Sequence, residues 1–237
     1  VNISNGLILI SGPTGSGKTT TIHSLINLMN KEALKIITIE DPVERIIDDV
    51  EQIQINESIG LTFESVLRSV LRQDPDVIMV GEIRDCETAE LAIRASLTGH
   101  IIISTLHTND SISSITRLIN LGIEPYLISS VFKYSIAQRL VRKLCPYCKK
   151  KSNSRSSVYI AKGCDKCNFT GFKGRTVVSE VFRIDENISE MILQKKKFSE
   201  IKEYLQNNKM KFLSEDALLK VKNGETATEE LKREALI

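Results

Sequence analysis

The sequence predicts an α/β fold with a mostly parallel sheet. Short apolar segments alternate along the first half of the chain with segments whose apolar residues recur every three to four positions. Strands interleaved with helices in this way pair in parallel, because each crossover helix returns the chain to the same edge of the sheet. The chain has 237 residues, 41% of them hydrophobic and 26% charged, which excludes collagen-like, mucin-like and disordered classes.

Each predicted element has its own signal. The predicted strands are runs rich in Val, Leu and Ile, at residues 7–10, 35–39, 77–80 and 101–105, with an alternating, edge-type strand at 50–55. The predicted helices carry one apolar face, at residues 18–29, 63–71 and 87–96. A short strand at 176–182 and a helical pattern from Ile188 onwards follow. We expect an α/β core over 1–140, a cysteine-containing element over 141–185 and a helical region over 186–237.

Charge and termini limit the function classes. Lys and Arg number 32 against 30 Asp and Glu, a net charge of +2, whereas a dedicated nucleic-acid binder is usually strongly basic. No apolar run approaches the roughly 18 residues of a membrane-spanning helix.

The chain begins at Val1, lacks a signal-peptide pattern and enters a strand within a few residues. We therefore expect an upstream N-terminal domain in a longer protein.

A glycine-rich segment follows the first predicted strand and precedes the first predicted helix. It matches the pattern G-x-x-x-x-G-K-[ST] and comprises Gly12, Pro13, Thr14, Gly15, Ser16, Gly17, Lys18, Thr19 and Thr20. Glycines allow backbone N–H groups to converge on phosphate oxygens, and the helix N-terminus adds its dipole. Lys18 is expected to reach the β- and γ-phosphates and Thr19 to ligate Mg²⁺. A glycine turn without a ligand is the alternative, but this context predicts a nucleotide site.

Two glutamates follow predicted strands. Glu82 ends the run 74–82, in which Gly81 stands where an Asp commonly organises the Mg²⁺ shell, so Glu82 is expected to serve the metal, the attacking water, or both. Glu40 follows the strand 35–39. Loops after parallel strands share one edge of the sheet, so both carboxylates are predicted to converge on the γ-phosphate. The alternative is that both are ordinary surface acids.

Other polar residues complete the predicted site. His107 follows the strand 101–105 and is expected to sense the γ-phosphate, whereas His23 is predicted to lie on the exposed side of the first helix without a function. Phosphoryl-transfer motors often complete their site with an arginine. Arg84, beside Glu82, is one candidate, and Arg94 and Arg72 are others.

Four of the five cysteines form two C-x-x-C pairs separated by fifteen residues: Cys145, Cys148, Cys164 and Cys167. This spacing is typical of a Zn²⁺ site in a reducing compartment. Four thiolates close a tetrahedral shell and leave no open position, so the metal is predicted to be structural. Disulfides and four unrelated thiols are the alternatives. Cys86 is predicted to be a small buried thiol.

Four segments in order resemble the secretion and pilus-assembly ATPases: GPTGSGKTTT, ITIEDPVE, LRQDPDVIMVGEIRD and TGHIIISTLHTND, their Walker A, Asp-box, Walker B and His-box elements. The two cysteine pairs are similar to the tetracysteine element of type II secretion and pilus extension ATPases. The resemblance implies a RecA-like P-loop NTPase that uses ATP, Mg²⁺ and Zn²⁺. It also implies catalytic roles for Glu40, Glu82, His107 and Arg84.

The resemblance further implies a cytoplasmic homo-hexamer, peripheral to the inner face of the cytoplasmic membrane, that drives assembly of a pilin-like filament. Its implied partners are an inner-membrane platform protein and a membrane-anchored partner with a cytoplasmic part, with no direct contact to nucleic acid. A RecA-like hexameric nucleic-acid motor and a nucleotide-binding scaffold without turnover remain alternatives. Neighbouring genes would distinguish a secretion pseudopilus from a type IV pilus.

Overall fold

A seven-stranded, mostly parallel sheet is the centre of the computed structural model, which describes residues 3–152 and 159–237. Its strands, in spatial order, are β3 (Glu51–Gln54), β2 (Ile36–Glu40), β4 (Val77–Val80), β5 (Ile101–Leu106), β1 (Gly6–Ser11), β6 (Phe132–Leu144) and β9 (Phe172–Arg183). Within this sheet, as far as the structure describes it, β6 and β9 are the one antiparallel pair. The described helices are α1 (Lys18–Asn27), α2 (Phe63–Val70), α3 (Cys86–Leu97), α4 (Ser113–Asn120), α5 (Pro125–Val131), α6 (Glu186–Leu193), α7 (Phe198–Asn207), α8 (Leu213–Lys222) and α9 (Thr228–Arg233). The short strands β7 (Lys150–Lys151) and β8 (Tyr159–Ile160) form a separate ribbon.

The α/β fold class predicted from the sequence is confirmed. The first five strands and the first three helices lie within a few residues of their predicted bounds, and β3 is the predicted edge strand. The long strand β6 was not predicted, because charged and polar residues interrupt its apolar positions, and α4 and α5 were also missed. Residue 140, the predicted end of the core, lies inside β6, which pairs with both β1 and β9. The division into domains therefore stays a prediction.

Both faces of the sheet are covered, which explains the continuous apolar runs in the central strands. On β1, Leu7 and Leu9 belong to a core shared with α2–α7, whereas Ile8 and Ile10 pack with α1 residues such as Ile22 and Ile26. This arrangement holds β1, β5, β4 and β2 in parallel register, so their carboxyl ends meet at one edge. No helix in the described part of the chain is both long and apolar enough to cross a membrane.

A buried carboxylate attaches the last helix to the sheet. Glu230 on α9 is 1% exposed and accepts hydrogen bonds from the backbone N–H and guanidinium of Arg142 on β6 and from Arg233. Burial alone would raise the pKa of Glu230, but these hydrogen bonds outweigh it and lower the pKa. The helix is therefore held by an ion-paired acid.

We expect Glu230→Gln to lower the free energy of unfolding by about 1–3 kcal/mol, because the neutral amide leaves the partly exposed guanidinium groups of Arg142 and Arg233 without a charged acceptor. The lowered folded-state pKa means that this stabilisation is present above the unfolded pKa of glutamate and is lost as the pH falls through the folded value. Urea unfolding at neutral and acidic pH measures both effects. Equal losses in the variant at the two pH values would contradict the ion-pair account; Glu229→Gln, on the same helix, is the control.

Candidate nucleotide site and cysteine cluster

The glycine-rich loop joins the end of β1 to the start of α1. Gly12 and Gly17 have φ angles of 149° and 90°, which side chains rarely adopt. A Cβ atom at Gly12 would lie 2.5 Å from the carbonyl oxygen of Gln138, so the loop requires glycine there for space as well. The helix begins at Lys18, directly after this loop. The amino end of α1 and the loop amides thus form the cradle that the motif predicts for phosphate.

Lys18 lies over the loop that precedes it. Its Nζ donates to the carbonyl oxygens of Gly12 at 2.8 Å and Pro13 at 3.2 Å. Burial lowers the pKa of Lys18, partly opposed by the negative charge of Glu82. The hydroxyl of Ser16 is buried without a hydrogen-bond partner among the described residues. A half-buried ammonium and an unpaired hydroxyl within a glycine loop fit a polyanionic ligand such as a nucleotide phosphate.

Glu40 is the last residue of β2 and is 2% exposed. Its Oε1 accepts from Thr38 Oγ1 at 2.6 Å and from Gln52 Nε2 at 2.8 Å. Gln52 lies on β3 and also binds the backbone of residues 45 and 47, so it connects Glu40 to the loop after β2. The carboxylate is therefore fixed in orientation at the edge of the sheet.

Glu82 follows β4, and its carboxylate contacts an arginine and a histidine. Arg84 forms an ion pair with Glu82 Oε1, and His107 Nε2 lies 3.3 Å from Glu82 Oε2. The hydrogen bond to Glu82 raises the pKa of Arg84, whose guanidinium also lies 3.5 Å from Asp41. A Cβ at Gly81 would lie 3.1 Å from the carbonyl oxygen of Ile39, so a larger residue there would crowd the sheet. This packing accounts for glycine where an acid was expected.

The predicted site residues surround two adjoining cavities. The smaller, of about 150 Å³, is lined by Lys18, Thr19, Glu40, Glu82 and His107. The larger, of about 610 Å³, is bounded by the loop residues 14–20 together with Glu82, Arg84 and His107. Both carboxylates and the P-loop lysine thus share one cavity. Of the other arginines, Arg94 lies on the surface of α3, where it pairs with Glu90 at 3.4 Å.

Two predictions about single residues were wrong. His23 is 7% exposed and faces Glu40, because it lies one helical turn before the buried Ile26 and shares its side of α1. Cys86 is exposed, because it opens α3 within the exposed run 84–87, before the buried face of the helix begins at Thr88.

The sequence analysis also missed two glutamines. Gln52 orients Glu40, and Gln138 on β6 donates to the carbonyl oxygen of Ser16 at 2.8 Å while accepting from Thr21 at 2.9 Å. Gln138 therefore connects β6 to the glycine-rich loop and to the first turn of α1. Neither glutamine belongs to a motif that the sequence reveals, because Gln138 contacts residues more than a hundred positions away and Gln52 reaches Glu40 only once β3 pairs with β2.

The four paired cysteines converge on one point. Their sulfur atoms lie within 4.8 Å of one another, with Cys145–Cys164 at 4.0 Å and Cys148–Cys167 at 3.8 Å. Metal–sulfur bonds of about 2.3 Å in a tetrahedron separate the sulfurs by about 3.8 Å, whereas a disulfide needs about 2.05 Å. The cluster is therefore shaped to hold a metal ion.

Backbone donors favour thiolate at this cluster. Burial alone would raise the pKa of Cys167, but the N–H groups of Cys164 and Gly171, each 3.3 Å from its sulfur, lower it to about 6. Burial raises the pKa of Cys148 to about 12. Four cysteine sulfurs at this spacing are a donor set that suits a soft or borderline metal ion.

The α/β sheet, the glycine loop and the two carboxylates define the class as a P-loop nucleotide-binding protein. Residues 1–233 match the family described as Type II/IV secretion system protein, and the chain belongs to this family.

The relatives agree with the family assignment. The chain is 44% identical to the type II secretion system protein HxcR of Pseudomonas aeruginosa, covering 97% of the chain and 48% of the relative. It is 41% identical to the type IV pilus assembly ATPase PilB of Myxococcus xanthus, covering 95% and 43%. A crystal structure of the pilus retraction motor PilT with bound ADP superposes with a TM-score of 0.77 at 32% identity, covering 97% of this chain and 61% of that one. The chain spans about half the length of these curated relatives.

Proposed function

We propose that this chain is the ATP-hydrolysing core of a hexameric motor that powers assembly of a type II secretion pseudopilus or a type IV pilus. The observation that carries the proposal is one cavity lined by Lys18, Thr19, Glu40 and Glu82, in a chain of the secretion ATPase family. The names of its relatives, a type II secretion protein and a pilus assembly ATPase, support both kinds of filament.

The side chains divide the reaction between them. The loop amides and Lys18 bind the β- and γ-phosphates, and Lys18 offsets charge as the bond to the γ-phosphate breaks. Glu40, held through its Oε1, orients the attacking water with its Oε2 and accepts the proton. Thr19 and Glu82 would hold Mg²⁺, which neutralises phosphate charge when bound. His107 and Arg84, both against Glu82, are placed to respond to loss of the γ-phosphate.

The experiment is phosphate release from Mg-ATP by the purified chain, with protein concentration varied and the oligomer measured by mass photometry. We expect turnover that rises as the chain assembles, and no acceleration by single-stranded DNA. Nucleotide binding without phosphate release at any concentration would favour a scaffold, and strong stimulation by DNA would favour a nucleic-acid motor.

We also propose that the cysteine cluster holds one Zn²⁺ in a structural role. The sulfur spacing fits metal–thiolate bonds, and four thiolates complete a tetrahedral shell. No coordination position is then left open, which supports a structural Zn²⁺. The strands β6 and β9, between which the cluster lies in sequence, connect it to the edge of the sheet.

We propose in addition that the assembled protein lies in the cytoplasm, against the inner face of the cytoplasmic membrane, where a platform protein and a membrane-anchored partner would contact it.

We expect metal removal to loosen the region around residues 144–174 while the P-loop core stays folded, because structural metal sites stabilise their own ligands first. Elemental analysis is expected to give one zinc per chain, and hydrogen exchange after chelation to rise mainly in that region. Cys167→Ser is expected to lose the metal, whereas Cys86→Ser, at the exposed unpaired cysteine, keeps it. Well under one zinc per chain from fresh protein would contradict the assignment.

A further inference from the structure

His23 and Glu40 form a buried pair between α1 and the end of β2. They are 7% and 2% exposed, and His23 Nε2 lies 3.6 Å from Glu40 Oε2. That nitrogen has no hydrogen-bond partner among the residues that the structure describes. The separation is slightly longer than a hydrogen bond, so a movement of a few tenths of an ångström by either side chain would form one. Buried polar nitrogens are rarely left unpaired, which favours that movement.

The two oxygens of Glu40 have different surroundings. Oε1 already accepts from Thr38 and Gln52, at 2.6 and 2.8 Å. Within the described residues, the donor that faces Oε2 is His23. Oε2 is therefore the oxygen left to take a proton from water, and a hydrogen bond from His23 would occupy one of its two lone pairs.

His23 reaches Glu40 from outside the phosphate cavity. Glu40 lines the cavity that contains Lys18, whereas His23 lines a neighbouring cavity of about 290 Å³ beside Thr20 and Ser24. A side chain in this position contacts the carboxylate without lining the cavity where the γ-phosphate would bind. Its influence on the reaction has to pass through Glu40.

We propose that His23 is a positioning residue for Glu40. Its imidazole, with a proton on Nε2, donates to Oε2 and leaves the other lone pair of that oxygen directed to the attacking water. The inference rests on the proposed role of Glu40 as the base. Thr38, Gln52 and His23 then hold the carboxylate from three separate elements, β2, β3 and α1.

The first test compares His23→Leu, which removes the donor, with His23→Gln, which keeps an N–H group. In Mg-ATP hydrolysis by the full chain we expect the leucine variant to lower kcat about tenfold with KM nearly unchanged, and the glutamine variant to recover most of the rate. Ser24→Ala is the matched control, since Ser24 neighbours His23 but, among the residues described, donates to its own helix, at the carbonyl oxygen of Thr20. Should the leucine variant fail to fold, His23→Asn, whose amide is too short to reach Glu40, replaces it.

The second test places each His23 variant in a Glu40→Gln background. If His23 acts through Glu40, the double variant is no slower than Glu40→Gln alone. The same fold-loss in both backgrounds, or a wild-type kcat in His23→Leu, would overturn the inference. Full turnover in Glu40→Gln would instead overturn the proposed base, which is a separate failure.

A readout independent of turnover is the ¹⁵N NMR signal of the His23 imidazole. We expect the Nε2-protonated tautomer in the unmodified chain and a changed Nε2 signal in Glu40→Gln. An Nδ1-protonated ring, or an Nε2 signal indifferent to Glu40, would contradict the contact.

Discussion

Lys18→Ala is expected to abolish ATP hydrolysis, lowering turnover by on the order of 10³ or more. The Nζ of Lys18 is the cation that the glycine loop encloses, and it already binds the carbonyl oxygens of Gly12 and Pro13, at the start of the loop. When it is removed, the charge that develops on the β- and γ-phosphates is left without its principal counterion. Steady-state phosphate release measures the loss.

The matched control is Lys35→Ala. Lys35 precedes β2 at the amino edge of the sheet, where its Nζ donates to the carbonyl oxygen of Gln73, far from the phosphate loop. It is expected to retain full turnover. Hydrolysis in Lys18→Ala that remains near the level of the unmodified chain would mean that the phosphates bind elsewhere.

The edge of the sheet that carries the site could be predicted because it follows from chain direction alone. Residues that follow β1, β2, β4 and β5 meet once these strands pair in parallel, so Lys18, Glu40, Glu82 and His107 were correctly expected together. The cysteine cluster was predictable from spacing instead, because two C-x-x-C pairs commonly bring four sulfurs together at one metal site.

The supporting residues could not be predicted, because they contact their partners only through strand pairing and the packing of α1 on the sheet. Gln138 donates to the carbonyl oxygen of Ser16 from β6, a strand that was not predicted because polar residues interrupt its apolar pattern. Gln52 lies on an edge strand, where a glutamine has no reason to be singled out. His23 was misplaced because the apolar periodicity of α1 marks Ile22 and Ile26 but does not show how wide the buried face is beside Glu40.

Glu40→Gln and Glu82→Gln are each expected to cut turnover by on the order of 10² or more while ATP binding is largely retained. Glutamine keeps the shape of each side chain but can neither accept a proton nor carry negative charge. Glu40 is buried and anchored through Oε1, as a base that orients one water should be. Glu82 borders Lys18 and Thr19, and Gly81 leaves no other acid on that strand end, so we expect it to act through Mg²⁺.

The two roles separate when hydrolysis is measured across Mg²⁺ and Mn²⁺ concentrations. A shifted metal dependence, or partial rescue by Mn²⁺, is expected in Glu82→Gln, whereas Glu40→Gln should stay slow at every metal concentration. Glu64→Gln, an exposed acid of α2 paired with Arg68, is the control and should not change. Because Arg84 and His107 both contact Glu82, the Glu82→Gln variant should also change how these two side chains respond to bound nucleotide. Rescue by metal in Glu40→Gln but not in Glu82→Gln would reverse the assignment, with Glu40 at the metal and Glu82 at the water.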